Sequence, residues 1–278
     1  MFIKAMEKKF QTKDGLQLSG THWTTEQPKA LLILIHGMGE HHGRYVHMVP
    51  FFHTMGWNVL GYDQRGHGQS EGPRGHMPHA AVLTDDLQEV IHQHQAQEEQ
   101  PLPILLYGHS MGACVAASFM YQAEEPSISR VFLSAPYFAL AFTPPWWKLL
   151  LGKIAAWVSP GFVQPTGLDT SALAMNPYVA KMYLQDPLVH DQITAGFFRH
   201  ITDMGAQVVR MASQWPDVPV HVIHGEADRL TKYEAAKQFA KENPKASFLS
   251  IPGGYHEWHQ DDEGLVWLEK WIKPTQNG

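Results

Sequence analysis

One cysteine, Cys114, stands in the 278 residues, so no disulfide can form within the chain. That excludes a cross-linked scaffold and leaves stability to a packed core. It also fits a reducing compartment, and the cytoplasm is the expected location. Long apolar runs are missing too. The longest, Phe138 to Val158, is broken by Pro144, Pro145, Lys148, Gly152 and Lys153. A spanning helix needs about 20 mostly apolar residues, so none is expected here. Met1 to Lys9 lack the apolar stretch of a secretory leader. Positive charge is scarce and scattered: 21 Lys and Arg against 27 Asp and Glu give a net charge of −6. Without a basic run, no nucleic acid is expected as a partner.

What the chain does have is apolar content, 44% of its residues, enough for a sizeable core. The apolar residues come in short runs that alternate with helical stretches. A hairpin is read where Phe10 to Thr12 and Leu16 to Trp23 flank Lys13-Asp14-Gly15. Strands are read at 30–35, 57–62, 103–107, 130–134, 218–223 and 247–251. Helices are read at about 45–55, 85–97, 113–120, 233–241 and 262–271. This alternation predicts an α/β fold, a mostly parallel central sheet flanked by helices. Residues 137–215 break the rhythm. They contain no convincing buried strand, a helix from Lys148 to Val158, Ser159-Pro160-Gly161 and several short helical pieces. The expected organisation is a core of residues 1–136 and 216–278 with an inserted helical cap, or lid, over 137–215.

Between the strand ending at Tyr107 and the helix starting at Ala113 lies Gly108-His109-Ser110-Met111-Gly112. Chance yields G-x-S-x-G in about one chain in ten of this length, so the flanks matter. Strand, G-x-S-x-G, helix is the nucleophile elbow of a serine hydrolase. Ser110 must sit on a sharp, strained turn, and glycines two residues either side avoid a collision across it. The nucleophile needs a base, and the base an orienting acid, in the chain order Ser, Asp or Glu, His. The acid should follow a late strand, where His224-Gly225-Glu226-Ala227-Asp228 offers Glu226 and Asp228. The H-G-x-x-D spacing favours Asp228, since it lets the loop turn back to the sheet edge. The base should follow the last strand, where Gly253-Gly254-Tyr255-His256 offers His256, with His259 as rival.

Three stretches carry a family resemblance: His36-Gly37-Met38-Gly39-Glu40-His41-His42-Gly43-Arg44-Tyr45, Asp63-Gln64-Arg65-Gly66-His67-Gly68-Gln69-Ser70-Glu71-Gly72, and the elbow itself. Together they resemble the monoacylglycerol lipase and lysophospholipase-like branch of the α/β-hydrolases. Tyr183 to His190 is similar to a cap segment of that branch, and the likeness runs from about Lys13 to Ile272. A departure is Ala113, where relatives often carry a third glycine. The resemblance implies an α/β-hydrolase fold and an oxyanion hole from the backbone N–H groups of Met38 and Met111. It also implies a small acyl ester substrate, from a monoacylglycerol or a lysophospholipid, and no cofactor. Other readings stay open: a short-chain carboxylesterase, a thioesterase, a small-amide peptidase, or a hydrolase-fold binding protein without turnover.

Eighteen histidines invite a metal. Yet His256-Glu257-Trp258-His259 is one residue short of H-E-x-x-H, and no catalytic metal is expected. Arg65 and His67 are read as braces of the loop after the fourth strand. Cys114 is read as core packing. Trp146, Trp147, Leu149, Leu150, Leu151, Ile154, Ala155 and Trp157, with Lys148 and Lys153 among them, suit an acyl tunnel or peripheral membrane contact through the cap, or plain packing of the cap.

Overall fold

Runs in which every residue is apolar bury both faces of a strand, and such strands belong inside a parallel sheet. The computed structural model describes residues 4–122, 125, 127–142 and 157–277. Its strands are β1 (Lys4–Gln11), β2 (Gln17–Thr24), β3 (Ala30–Ile35), β4 (Trp57–Tyr62), β5 (Ile104–His109), β6 (Ile128–Ser134), β7 (Val163–Pro165), β8 (Gln192–Thr194), β9 (Val220–Gly225) and β10 (Ala246–Ile251). Its helices are α1 (Val49–Thr54), α2 (Val82–Gln95), α3 (Met111–Gln122), α4 (Pro177–Gln185), α5 (Ala195–Arg210), α6 (Tyr233–Glu242) and α7 (Gly264–Ile272). All six residues of β3, β4 and β5 are buried. The main sheet has eight strands in the order β1-β2-β4-β3-β5-β6-β9-β10. β2 pairs antiparallel with β1 and β4, and every other pairing is parallel. This is the α/β-hydrolase fold.

The two faces of the sheet carry separate cores. On one, Leu18, Leu31, Ile33 and Leu106 pack with α2, α3 and α5. On the other, Leu32, Leu34, Tyr107 and Phe132 pack with Phe52 of α1, Trp258 and α7. The chain order reverses beside β3: β4 lies on one side of it and β5 on the other. Open α/β sheets bind ligands at such a switch point, beyond the carboxyl ends of the strands.

The 137–215 stretch differs from the sequence reading in two ways. β7 and β8 form a short antiparallel ribbon. β7 is fully exposed and ends in Pro165, so no buried alternation marks it. Second, α5 is a full 16-residue helix whose Phe197, Ile201, Met204 and Val208 join the core beneath α3. The apolar tract from Trp146 to Ala155, including Trp147, Lys148, Leu150 and Lys153, lies outside the described residues. No helix among those described is long and apolar enough to cross a membrane.

Candidate active site

The carboxyl ends of β3, β5, β9 and β10 point the same way, so the loops that leave them meet. Ser110 follows β5 directly and has φ of 54°, a left-handed conformation that costs a serine energy. Its N–H donates to Ser134 O at 2.9 Å, and its carbonyl accepts from Tyr137 N at 3.0 Å. β6 and the chain leaving it thus clamp the strained residue. The flanking glycines are required by contact. A Cβ on Gly108 would lie 2.4 Å from Gly112 O, across the turn. A Cβ on Gly112 would lie 2.1 Å from Ile35 O, at the end of β3.

Asp228 follows β9 and His256 follows β10, and the two are joined. His256 Nδ1 donates to Asp228 Oδ2 at 2.7 Å. The other carboxylate oxygen accepts from the N–H groups of Leu230 at 2.7 Å and Thr231 at 3.0 Å. Glu226, the rival acid, is exposed on the same loop. His259, the rival base, is buried against Tyr45 and His109, and among the described residues neither ring nitrogen is partnered. His109, the neighbour of Ser110, packs its ring 4.8 Å from that of His256. Among the described residues no hydrogen bond joins the Ser110 hydroxyl to His256; such bonds often tighten only with substrate bound.

Burial alone would raise the Asp228 carboxyl. The His256 charge and the hydrogen bonds from His224 and His256 outweigh it and hold the group well below the usual carboxylate range. Burial would lower His256, but the charge and hydrogen bond of Asp228 prevail, and its pKa lies above the ordinary 6.5. His109 is pushed the other way, well below 6.5, by burial and by His256.

Met111 is the first residue of α3, so its N–H is among the helix's free N-terminal donors, where the helix dipole also favours an anion. Met38 lies in the loop after β3. The loop passes close to Ser110: a Cβ on Gly37 would lie 3.3 Å from Ser110 Cβ. Gly37 N–H donates to Glu40 Oε1 at 2.6 Å, and Tyr45 OH donates to the same oxygen at 2.6 Å. Arg65 bonds Asp86 and Asp14, and His67 Nδ1 donates to Arg65 O, so both do brace the loop after β4.

Several residues near the site were not singled out from the sequence. His224 Nε2, at 3.1 Å, and the Thr231 hydroxyl, at 2.8 Å, also donate to Asp228 Oδ2. Arg44 bonds Glu40 Oε2 at 2.6 Å and takes both oxygens of Glu257, each at 2.7 Å. Its guanidinium lies 4.8 Å from the centre of the Tyr183 ring in α4. His41 Nε2 and Asp186 Oδ2 meet at 2.9 Å, and His190 N–H donates to Gly39 O at 2.8 Å. The loop that carries Met38, the segment after His256 and the α4 region are therefore one connected structure. The signal in the sequence was the H of H-G-x-x-D and the Glu40–Arg44 spacing, but pairs more than 140 residues apart leave no local trace.

Comparison with known proteins places the chain in a family. The family described as Hydrolase_4: serine aminopeptidase, S33, matches residues 26–263. The monoglyceride lipase of Homo sapiens is 31% identical over 261 residues, covering 89% of this chain and 82% of that protein. An uncharacterized abhydrolase domain-containing protein of Dictyostelium discoideum is 30% identical over 269 residues, 94% of this chain; the match spans 28% of that much longer protein. Among solved structures, the monoacylglycerol lipase of Paleococcus ferrophilus superposes with a TM-score of 0.79 at 27% identity, covering 97% of this chain and 96% of that one.

Proposed function

This chain belongs to the Hydrolase_4 family of serine hydrolases, and from that premise we propose that it cleaves the carboxylic ester of a single-acyl lipid, a monoacylglycerol or lysophospholipid. The reaction type rests on one observation: a serine at φ of 54° on a strand–helix elbow, whose neighbour His109 packs its ring 4.8 Å from that of a histidine held by a buried aspartate. Ser110 Oγ attacks the ester carbonyl while His256 Nε2 takes its proton. Asp228 fixes the ring through Nδ1–H and stabilises the imidazolium. The Met38 and Met111 N–H groups receive the oxyanion. The tetrahedral intermediate collapses, and His256 returns the proton to the leaving alcohol. A water, deprotonated by His256, then attacks the acyl carbon; the bond to Ser110 Oγ breaks, the fatty acid leaves, and His256 returns the proton to Oγ. No cofactor enters this scheme.

The substrate class is supported by the named relatives and by the outer face of residues 137–215, which serve as the cap in this reading. Trp157, Val158, Phe162, Tyr178, Met182 and Leu184 are exposed there, with Trp157 at 83%. Such a surface suits contact with a lipid aggregate. The family's description makes a small-amide peptidase the second reading. Amine recognition would call for a free carboxylate near Ser110, and the buried acids at hand, Glu40 and Glu257, are both engaged by Arg44. Hydrolysis of C2 to C16 esters of one alcohol, beside amino-acid amides, tests the choice. Each buried CH₂ contributes about 0.8 kcal/mol, so kcat/KM should rise up to about fourfold per CH₂ until the acyl site is full. Ser110→Ala and His256→Ala should each lower kcat by about 10⁴–10⁶. A flat chain-length profile with faster amide cleavage would replace the lipid reading by the peptidase one. Failure of a fluorophosphonate to label Ser110 would leave a binding protein.

A further inference from the structure

Away from Ser110, the first pair of strands covers two histidines that the ester chemistry does not use. His22 on β2 and His94 on α2 are each 3% exposed. Their rings meet edge-on with centroids 4.8 Å apart. An imidazole needs partners for both nitrogens, one as donor and one as acceptor when neutral. Among the described residues neither nitrogen of His22 has a hydrogen-bond partner, nor has His94 Nδ1. Buried and unpartnered, these atoms call for a ligand that the protein itself does not provide. Glu98 lies four residues after His94, and its Oε1 is 3.7 Å from His94 Nε2. One ligand atom from each of His22, His94 and Glu98 lies within 4.8 Å of the others.

We propose that His22, His94 and Glu98 bind one divalent metal ion of the zinc type, which pins the β1–β2 hairpin to the end of α2. The donor set is two imidazoles and a carboxylate, the set that borderline cations such as Zn²⁺ take. His94 is in the last turn of α2 and Glu98 follows in the turn beyond its end, with its carboxylate brought back to the ring, while β2 supplies the third ligand. Zinc–ligand distances of about 2.0–2.2 Å require the three atoms to draw together by roughly 1 Å, and Glu98 is exposed and free to move. A fourth position is left for water. A cavity of about 10 Å³ adjoins His94 and Glu98 and is bordered by Leu31, Asn58 and Ile104, the first or second residues of β3, β4 and β5. That cavity lies toward the amino ends of the strands, opposite the ends that lead to Ser110, while His22 sits within β2 opposite Leu60, so the role of the metal is structural. One group opposes it: the charge of Lys8 on β1 reaches both histidines, although its ammonium is bonded to Gln97 Oε1 at 2.8 Å.

The test uses the whole protein, stripped with a chelator and titrated with Zn²⁺ and Co²⁺. One equivalent should bind with a Kd of micromolar or below, raise the melting temperature by several degrees, and give the visible absorption of tetrahedral Co²⁺. Glu98→Gln, an exposed change that does not endanger folding, should weaken binding by about 10- to 100-fold, and His94→Gln should do the same. Lys8→Gln should tighten it. Ester hydrolysis by the stripped protein should be unchanged. Binding that is unaffected by Glu98→Gln would place the metal among other histidines and overturn the proposal. So would the absence of any one-to-one binding up to about 100 μM metal, since a site of this donor set should saturate well below that.

Discussion

Asp228 accepts more hydrogen bonds than are needed to orient one imidazole. Its Oδ2 receives His256, His224 and the Thr231 hydroxyl. His224 is fully buried and bonds Asp228, so in the proposed reaction it acts through Asp228 as a positioning residue. His224→Ala should lower kcat several-fold with KM unchanged, and His224→Gln, which keeps a donor, should recover much of the loss. A rise in KM instead would make His224 a merely structural residue. Asp228→Asn should cost about 10⁴ in kcat, because an amide favours the wrong imidazole tautomer; Glu226→Gln, on an exposed side chain, should be silent. The pH profile follows from His256. Its pKa is raised, and only the neutral ring can take the serine proton. Activity is thus lost as pH falls through that raised value, and the ascending limb of kcat/KM should have its midpoint above 6.5. A midpoint below 6.5 would mean that the charge of Asp228 does not govern the base. The pairing of Asp228 with His256 could be read from chain order, because each sits just past a strand end. His224 could not, because an inward-facing histidine on a strand looks the same as one packed in a core.

At the level of elements, β3, β5, β9 and β10 carry the site, and all four were read as strands from the sequence. Ala30–Ile35 and Trp57–Tyr62 have the bounds their composition predicts. β9 starts two residues late, at Val220, since Pro219 offers no N–H to a ladder. The β7–β8 ribbon left no pattern, being three residues per strand. α5 did leave one: Phe197, Ile201, Met204 and Val208 recur at helical spacing, and the polar residues between them hid it. The elbow gives the sharpest prediction at this scale. Gly112→Ala drives a Cβ into Ile35 O and must shift α3 against β3. It should cost about 3 kcal/mol or more and lower the urea midpoint accordingly. It should also abolish activity, since the Met111 N–H moves with the helix. Gly161→Ala, with nothing within 4 Å of the new Cβ, is the matched control and should change the midpoint hardly at all.

Across the whole molecule, residues 157–184 carry exposed apolar side chains that bond to none of Ser110, Asp228 and His256, so their contribution can be tested separately. Replacing Trp157, Phe162 and Leu184 together by serine should leave acetyl-ester hydrolysis intact and reduce hydrolysis of micellar or vesicle-borne long-chain esters about tenfold or more, as lost apolar contact with the aggregate. Equal loss on both substrates would assign this face to packing. The fold has a second consequence at this scale, which comes from the position of β10. It is the edge of the sheet, bonded to β9 alone, and only Ile251 of its six residues is fully buried. His256 hangs from the end of that strand. Edge elements with little burial open locally at lower free energy than the body of a domain. Amides of β10 should therefore exchange with solvent far sooner than those of β3 and β5, and each such opening carries the base away from its acid. In rising denaturant, hydrolysis should cease before the sheet comes apart, leaving a folded but silent protein.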